Sequence, residues 1–145
     1  MNHGDLYTAI KGPNHDGHDH VADAFAKGAA AAMVEHLVEG LGREAKLLQV
    51  ASTEHGLRAL AAAARARTDA KICAITGSVG KTGTKELLAA ALGSQGRVTA
   101  TAGNLNNHYG LPLSLARMPA DTDFGVFEMG MNHAGEIAPL STLAK

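Results

Sequence analysis

Lys71-Ile-Cys-Ala-Ile-Thr-Gly-Ser-Val-Gly-Lys-Thr-Gly-Thr-Lys-Glu86 is the stretch from which the rest of the chain can be placed. Ile72 to Thr76 is an apolar, partly β-branched run of strand length. Gly77-Ser78-Val79-Gly80 forms a turn, and Lys81-Thr82 lead into an alanine- and leucine-rich run, Leu87 to Leu92, that reads as a helix. Strand, glycine loop, Lys-Thr and helix together make a phosphate cradle. Successive backbone N–H groups can converge on one anion, and the helix N-terminus adds its positive dipole end. Lys81 can reach the β- and γ-phosphates of a nucleotide, and the Thr82 hydroxyl can hold Mg²⁺. The spacing departs from the usual P-loop, because only two residues separate Gly77 from Gly80. An ordinary βα turn carrying an exposed lysine is the competing reading.

Outward from this loop, both directions read as alternating strands and helices. Towards the C-terminus, Arg97 to Thr101 reads as a strand, Leu113 to Met118 as a helix, Phe124 to Met129 as a strand and Ile137 to Ala144 as a helix. Towards the N-terminus, strands are expected at Asp5–Ile10, Ala29–Glu35 and Ala45–Val50. Helices are expected at Val21–Lys27, with Asp19 as cap, and at Thr53–Arg67. Thr68-Asp69-Ala70 connects the two parts, which places a domain boundary there and divides the chain into 1–70 and 71–145. The fold class is α/β, with parallel strands in the phosphate-loop half.

Composition excludes several functions. Thirteen basic and fourteen acidic residues among 145 leave a net charge of −1, which suits neither nucleic acid nor a membrane surface. The longest uncharged run, Val98 to Ala116, is broken by Asn, Gly and Pro and cannot cross a bilayer. The N-terminus lacks a signal-peptide pattern, so a cytoplasmic location is expected. The single cysteine, Cys73, lies in the strand before the glycine loop and reads as a buried structural thiol.

Three further places invite chemistry. Asp16, His18 and Asp19, with His15 and His20 beside them, could bind a transition metal or could cap a helix and line a pocket. Ala102 to Pro112 holds Asn104, Asn106 and Asn107 between glycines. It is either a turn or a set of amides facing a polar ligand at the end of a parallel strand. Glu128 closes an apolar strand, where a carboxylate is costly to bury unless a cation meets it. In a phosphate-loop domain that cation would be Mg²⁺.

Thr-Gly-Ser-Val-Gly-Lys-Thr (76–82), Gly-Asn-Leu-Asn-Asn (103–107) with Gly110 and Pro112, and Glu-Met-Gly-Met-Asn-His-Ala-Gly-Glu-Ile (128–137) resemble the successive motifs of the Mur ligases. Gly4-Asp5-Leu6, Lys11-Gly12, Asp16-Gly17-His18-Asp19 and Gly28-Ala29 extend the resemblance to the N-terminal part. It is nearest to the branch that adds D-Ala-D-Ala to UDP-N-acetylmuramoyl-tripeptide.

The resemblance implies an ATP-dependent amide ligase that forms an acyl phosphate. ATP phosphates would lie on Gly77, Ser78, Val79, Gly80, Lys81, Thr82 and Gly83, with Lys81 stabilising the transferring charge. Thr82 and Glu128 would hold Mg²⁺, and Asn106 and Asn107 would face the UDP-sugar substrate. Gly83 departs from the Ser or Thr common at its place. Residues 1–70 would be part of the domain for the UDP-sugar substrate, and 71–145 the first half of the ATP-binding domain. On that pattern the family's opening turn and its later histidine, modified lysine and C-terminal domain should flank this stretch. The chain then reads as an inactive fragment whose open sheet edge favours self-association. A non-catalytic nucleotide-binding module and a folylpolyglutamate synthase are the alternatives.

Overall fold

The computed structural model describes residues 2–145. It separates into two compact units, one reaching to Gly56 and the other Leu57–Lys145. The division falls inside one helix.

The first unit is a three-stranded parallel sheet, β1 (Leu6–Thr8), β2 (Ala31–Val34) and β3 (Leu47–Gln49), in the order β1-β2-β3. A 3-10 turn (Gly17–His20) and α1 (Val21–Ala26) carry the chain from β1 to β2. Three residues of the central strand β2, Ala32, Met33 and Val34, are buried. Ala32 and Val34 form a small core with Ala9 and Val21, onto which Tyr7, Phe25 and Leu47 pack.

The polar loop of this unit is a capping device. Asp16 Oδ1 accepts from the His18 backbone N–H (2.9 Å) and from His18 Nδ1 (2.5 Å). His18 is buried, and its Nε2 accepts from the Glu35 N–H at 2.8 Å, which assigns the ring proton to Nδ1. Glu35 in turn accepts from the Thr53 N–H (2.8 Å) and hydroxyl (3.0 Å), holding the start of α2 (Thr53–Ala66). His36 stacks on His18, ring centres 4.1 Å apart. No cluster of His, Cys, Asp and Glu among the described residues could hold a metal ion. The cap is Asp16 on the 3-10 turn, not Asp19 on α1, whose N-terminal flank is His20 without a side-chain bond. Asp16 wins because its backbone is extended, the conformation a capping side chain needs to fold back on the next amides.

The two bonds from His18, backbone first, pull the Asp16 carboxyl from 3.8 down to about 2, with Lys11 Nζ at 3.6 Å assisting. A carboxyl lowered on folding contributes stability that is present above its unfolded pKa and lost as pH falls through the folded one. Wild type should therefore lose thermal stability between about pH 4 and pH 2 more steeply than Asp16→Asn, which keeps the shape without the charge. Circular-dichroism melts across that range are the measurement. Parallel profiles would show that Asp16 carries no such linkage.

The second unit is also a parallel sheet: β4 (Lys71–Ile75), β5 (Val98–Ala100) and β6 (Phe124–Glu128), in the order β4-β6-β5. α3 (Lys81–Gly93) joins β4 to β5, and α4 (Gly110–Ala116) joins β5 to β6. α5 (Ile137–Ala144) follows β6. Pro112 and Pro139 both lie in the first turn of their helices, where no intrahelical N–H is lost. Successive β6 side chains face opposite ways. Phe127 and Met129 pack with Leu111, Leu115 and Met118 and with Leu140 of α5, while Glu128 turns to α3. Burial of each large apolar side chain here contributes about 1.5–3 kcal/mol.

Every expected strand and helix is present, with ends moved by up to three residues except in α3, which begins at Lys81 rather than Leu87. The parallel α/β architecture is as expected. Cys73 is the exception, since it is exposed rather than buried. β4 pairs only with β6 among the described residues, so it is an edge strand. Cys73 is in register with Val126 of β6, on the side of the sheet that α3 covers only in part. An apolar run of strand length does not distinguish an edge strand from a central one.

Candidate functional site

Three loops leave the carboxyl ends of the three parallel strands of the second unit, the edge at which open α/β sheets bind ligands. They are the glycine loop after β4, the asparagine loop after β5 and Gly130–Glu136 after β6.

The glycine loop is exposed from Thr76 to Gly80. Gly80 stands immediately before α3 with φ of +79°, a left-handed conformation that glycine adopts without strain. Lys81 Nζ donates to the Gly77 carbonyl at 2.6 Å, so the ammonium lies across the loop. Thr82 is exposed on the first turn of α3. A Cβ at Gly83 would meet nothing within 4 Å, so the backbone does not demand glycine there. The departure from Ser or Thr removes a hydroxyl and nothing else.

In the asparagine loop, Asn107 Oδ1 accepts from the N–H groups of Tyr109 (3.1 Å) and Gly110 (2.8 Å) and so caps α4. This is the turn reading of the motif in physical form. Asn106 gives its backbone carbonyl to the Gly130 N–H at 2.6 Å, which ties this loop to the one after β6. At Gly110 a Cβ would stand 2.3 Å from the Leu105 backbone, so any other residue would force the loop open.

The loop after β6 is closed by Glu136. Its carboxylate accepts from the Asn132 N–H at 2.8 Å. That bond and one from the His133 N–H lower its pKa from the usual carboxylate value.

Lys81, Asn106, Asn107, His108, Asn132, His133 and Glu136 line one cleft of about 470 Å³. The structure thus brings the lysine of the glycine loop and both asparagines to one place, with two histidines that motif reading did not single out. Thr82 and Glu128 do not line it. Glu128 ends β6 opposite Ile75, the residue before the glycine loop, and is 1% exposed. Its backbone N–H donates to the Thr101 hydroxyl at 2.9 Å.

Lys85, one helical turn beyond Lys81, is buried at 3% exposure. Its Nζ donates to the Thr101 carbonyl (2.8 Å), pairs with Glu86 Oε1 (2.7 Å) and lies 3.8 Å from Glu128 Oε1. Sequence reasoning missed Lys85. The available signal was its i+4 spacing from Lys81, which puts both on one face of α3.

Glu128 Oε1 is buried with no hydrogen-bond partner. An orphaned carboxylate oxygen of that kind is a fitting ligand for a hard divalent cation, and Glu128 therefore fits Mg²⁺ by its chemistry. The exposed amides of a glycine loop at a helix N-terminus, with Lys81 over them, fit a polyphosphate.

A parallel sheet with a Gly-x-x-Gly-Lys-Thr loop at its carboxyl edge is a framework suited to holding phosphate groups. Residues 75–145 match the Mur ligase middle domain. Over 142 residues the whole chain is 45% identical to the UDP-N-acetylmuramoyl-tripeptide--D-alanyl-D-alanine ligase of Rickettsia prowazekii, covering 98% of this chain and 31% of that protein. Among solved structures it is similar to MurF from Acinetobacter baumannii, with a TM-score of 0.85 and 38% identity over 99% of this chain and 31% of that one. It is also similar to MurF ligase from Thermotoga maritima in complex with ADP, with a TM-score of 0.79 and 35% identity over 99% and 33% of the two chains. The chain therefore spans about a third of the length of these relatives. No helix among the described residues is long and apolar enough to cross a membrane.

Proposed function

We propose that this chain supplies the phosphate-binding core of an ATP-dependent ligase that joins D-Ala-D-Ala to UDP-N-acetylmuramoyl-tripeptide. The observation that supports this most is the convergence of Lys81, Asn106 and Asn107 on one cleft at the carboxyl edge of the sheet, in a stretch matching the Mur ligase middle domain. In that reaction the tripeptide carboxylate becomes an acyl phosphate and the dipeptide amine displaces the phosphate.

The chain's own residues have distinct parts in this reading. The amides of Gly77 to Gly83 hold the ATP phosphates, and the Lys81 ammonium swings from the Gly77 carbonyl to the phosphoryl group, where negative charge accumulates. Thr82 and Glu128 are the residues that would hold Mg²⁺, which when bound neutralises phosphate charge. Asn106 and Asn107 face the muramoyl substrate. Asn107 does so through its amide nitrogen, because its oxygen caps α4. We place residues 71–145 with ATP and 1–70 with the UDP end of the substrate.

The experiment is calorimetric titration of ATP, with Mg²⁺ and with chelator, into wild type and Glu128→Gln, followed by UDP-N-acetylmuramoyl-tripeptide. Wild type should bind ATP·Mg²⁺ and then the muramoyl nucleotide. Glu128→Gln should lose roughly ten-fold or more of the Mg²⁺-dependent affinity and keep metal-free binding, because the amide preserves shape but not charge. Failure of wild type to bind ATP·Mg²⁺ would refute the nucleotide site. Binding of ATP without the muramoyl nucleotide would refute the substrate assignment. Loss of both ATP modes in Glu128→Gln would make Glu128 a folding residue.

A further inference from the structure

We propose that Lys85 is a positioning residue for the phosphate and metal site, holding the Glu128 carboxylate in place and tying it to the glycine-loop helix. The proposal rests on the nucleotide-site reading above and adds a residue to it.

A lysine is almost never buried unless its charge is met, and Lys85 is 3% exposed. Its ammonium has three donors. One goes to the Thr101 carbonyl, and Glu86, itself largely exposed, pairs with the charge at 2.7 Å. The third side faces Glu128 Oε1 at 3.8 Å, too long for a hydrogen bond. The position puts a fixed positive charge behind a buried carboxylate oxygen that lacks a hydrogen-bond donor.

Thr101 completes the clasp. Its carbonyl takes Lys85, and its hydroxyl accepts from the Glu128 N–H at 2.9 Å. Thr101 is also the residue that follows β5 and begins the asparagine loop. One ammonium therefore links the helix carrying Lys81, the end of the strand carrying Glu128 and the root of the loop carrying Asn106 and Asn107. At 3.8 Å Lys85 can attract the carboxylate without occupying its lone pairs, which leaves Oε1 open to a metal ion. Hydrogen-bonded groups that orient a metal ligand typically change metal affinity about 10–100-fold when removed, and here that link runs from Lys85 through Thr101 to Glu128.

The test uses the full chain and reads binding of ADP, with Mg²⁺ and with chelator, in wild type, Lys85→Met, Glu128→Gln and the double variant. Lys85→Met should lose about ten- to a hundred-fold of the affinity gained from Mg²⁺ and stay within about three-fold of wild type without metal. In the Glu128→Gln background it should cost nothing further, because it acts through that carboxylate. Lys85→Arg, which keeps the charge, should recover part of the loss. If Lys85→Met does not fold, Thr101→Val removes the hydroxyl of the same clasp and should show the same selective loss.

An undiminished Mg²⁺ gain overturns the proposal, as does an equal loss in both modes or full additivity with Glu128→Gln. Those failures leave wild-type binding intact and sensitive to Lys81→Ala. A wild type that binds no ADP, with Lys81→Ala indistinguishable from it, overturns the site reading and this proposal together.

Discussion

Replacing Lys81 by alanine is expected to weaken binding of ATP·Mg²⁺ by about ten- to a hundred-fold, the equivalent of ~1.5–3 kcal/mol for a charge-assisted contact. The ammonium is already over the loop, 2.6 Å from the Gly77 carbonyl, at the N-terminus of the helix whose dipole favours anions. Its loss removes one localised charge and leaves the backbone amides in place, so some affinity should survive. Because Lys81 is only partly buried and bonds to a loop carbonyl, folding should be little changed. Titration of ATP·Mg²⁺ into both proteins, matched by circular dichroism, is the check. Equal affinities would remove Lys81 from the site. The salt dependence should fall as well, since one fewer cation then meets the phosphates.

Much of this arrangement was legible because local chemistry and tertiary context agree. Gly80 is needed for its backbone angle, the alanine-rich run after it favours helix, and the stretch Ile137 to Ala144 was readable as a helix to the residue. The parts that were not legible depend on neighbours distant in sequence. Cys73 lies in an apolar run identical in kind to that of β6. Only the strand order makes one of them an edge.

Lys85 carries a side chain that ordinarily points to water, and it is buried because Thr101 and Glu128 come together beneath α3. The bonds from Glu35 to His18 and from Thr53 to Glu35 join residues far apart in the chain, and no local pattern announces them. Asn107 was legible as a dilemma between turn and ligand. The structure shows its oxygen in the turn while the residue still borders the cleft.

Phe127→Ala should be the most damaging single change in the second unit, costing ~3–5 kcal/mol as expected for a fully buried aromatic. Phe127 is fully buried on the central strand, within the cluster that joins α4 and α5 to the sheet. Little around it can collapse, because Leu111 and Leu115 are fixed on a short helix and Met118 lies just beyond its end in the same cluster. An ordinary domain has only about 5–15 kcal/mol of stability in total, so this loss should leave the unit marginal at room temperature.

The damage should also reach the site. Phe127 anchors one face of β6 and Glu128 the other, so a loosened strand would release the carboxylate from Lys85 and Thr101. Urea unfolding followed by far-ultraviolet circular dichroism suits a chain without tryptophan. The expected result is a lower midpoint, with ATP·Mg²⁺ binding weakened in step with the unfolded fraction. A shift worth less than about 1 kcal/mol would mean that Phe127 does not hold β6 to its helices, since that loss is below the range for a well-packed buried phenylalanine. In that case the rigid placement of Glu128 would have to come from Lys85 of α3 and from Thr101.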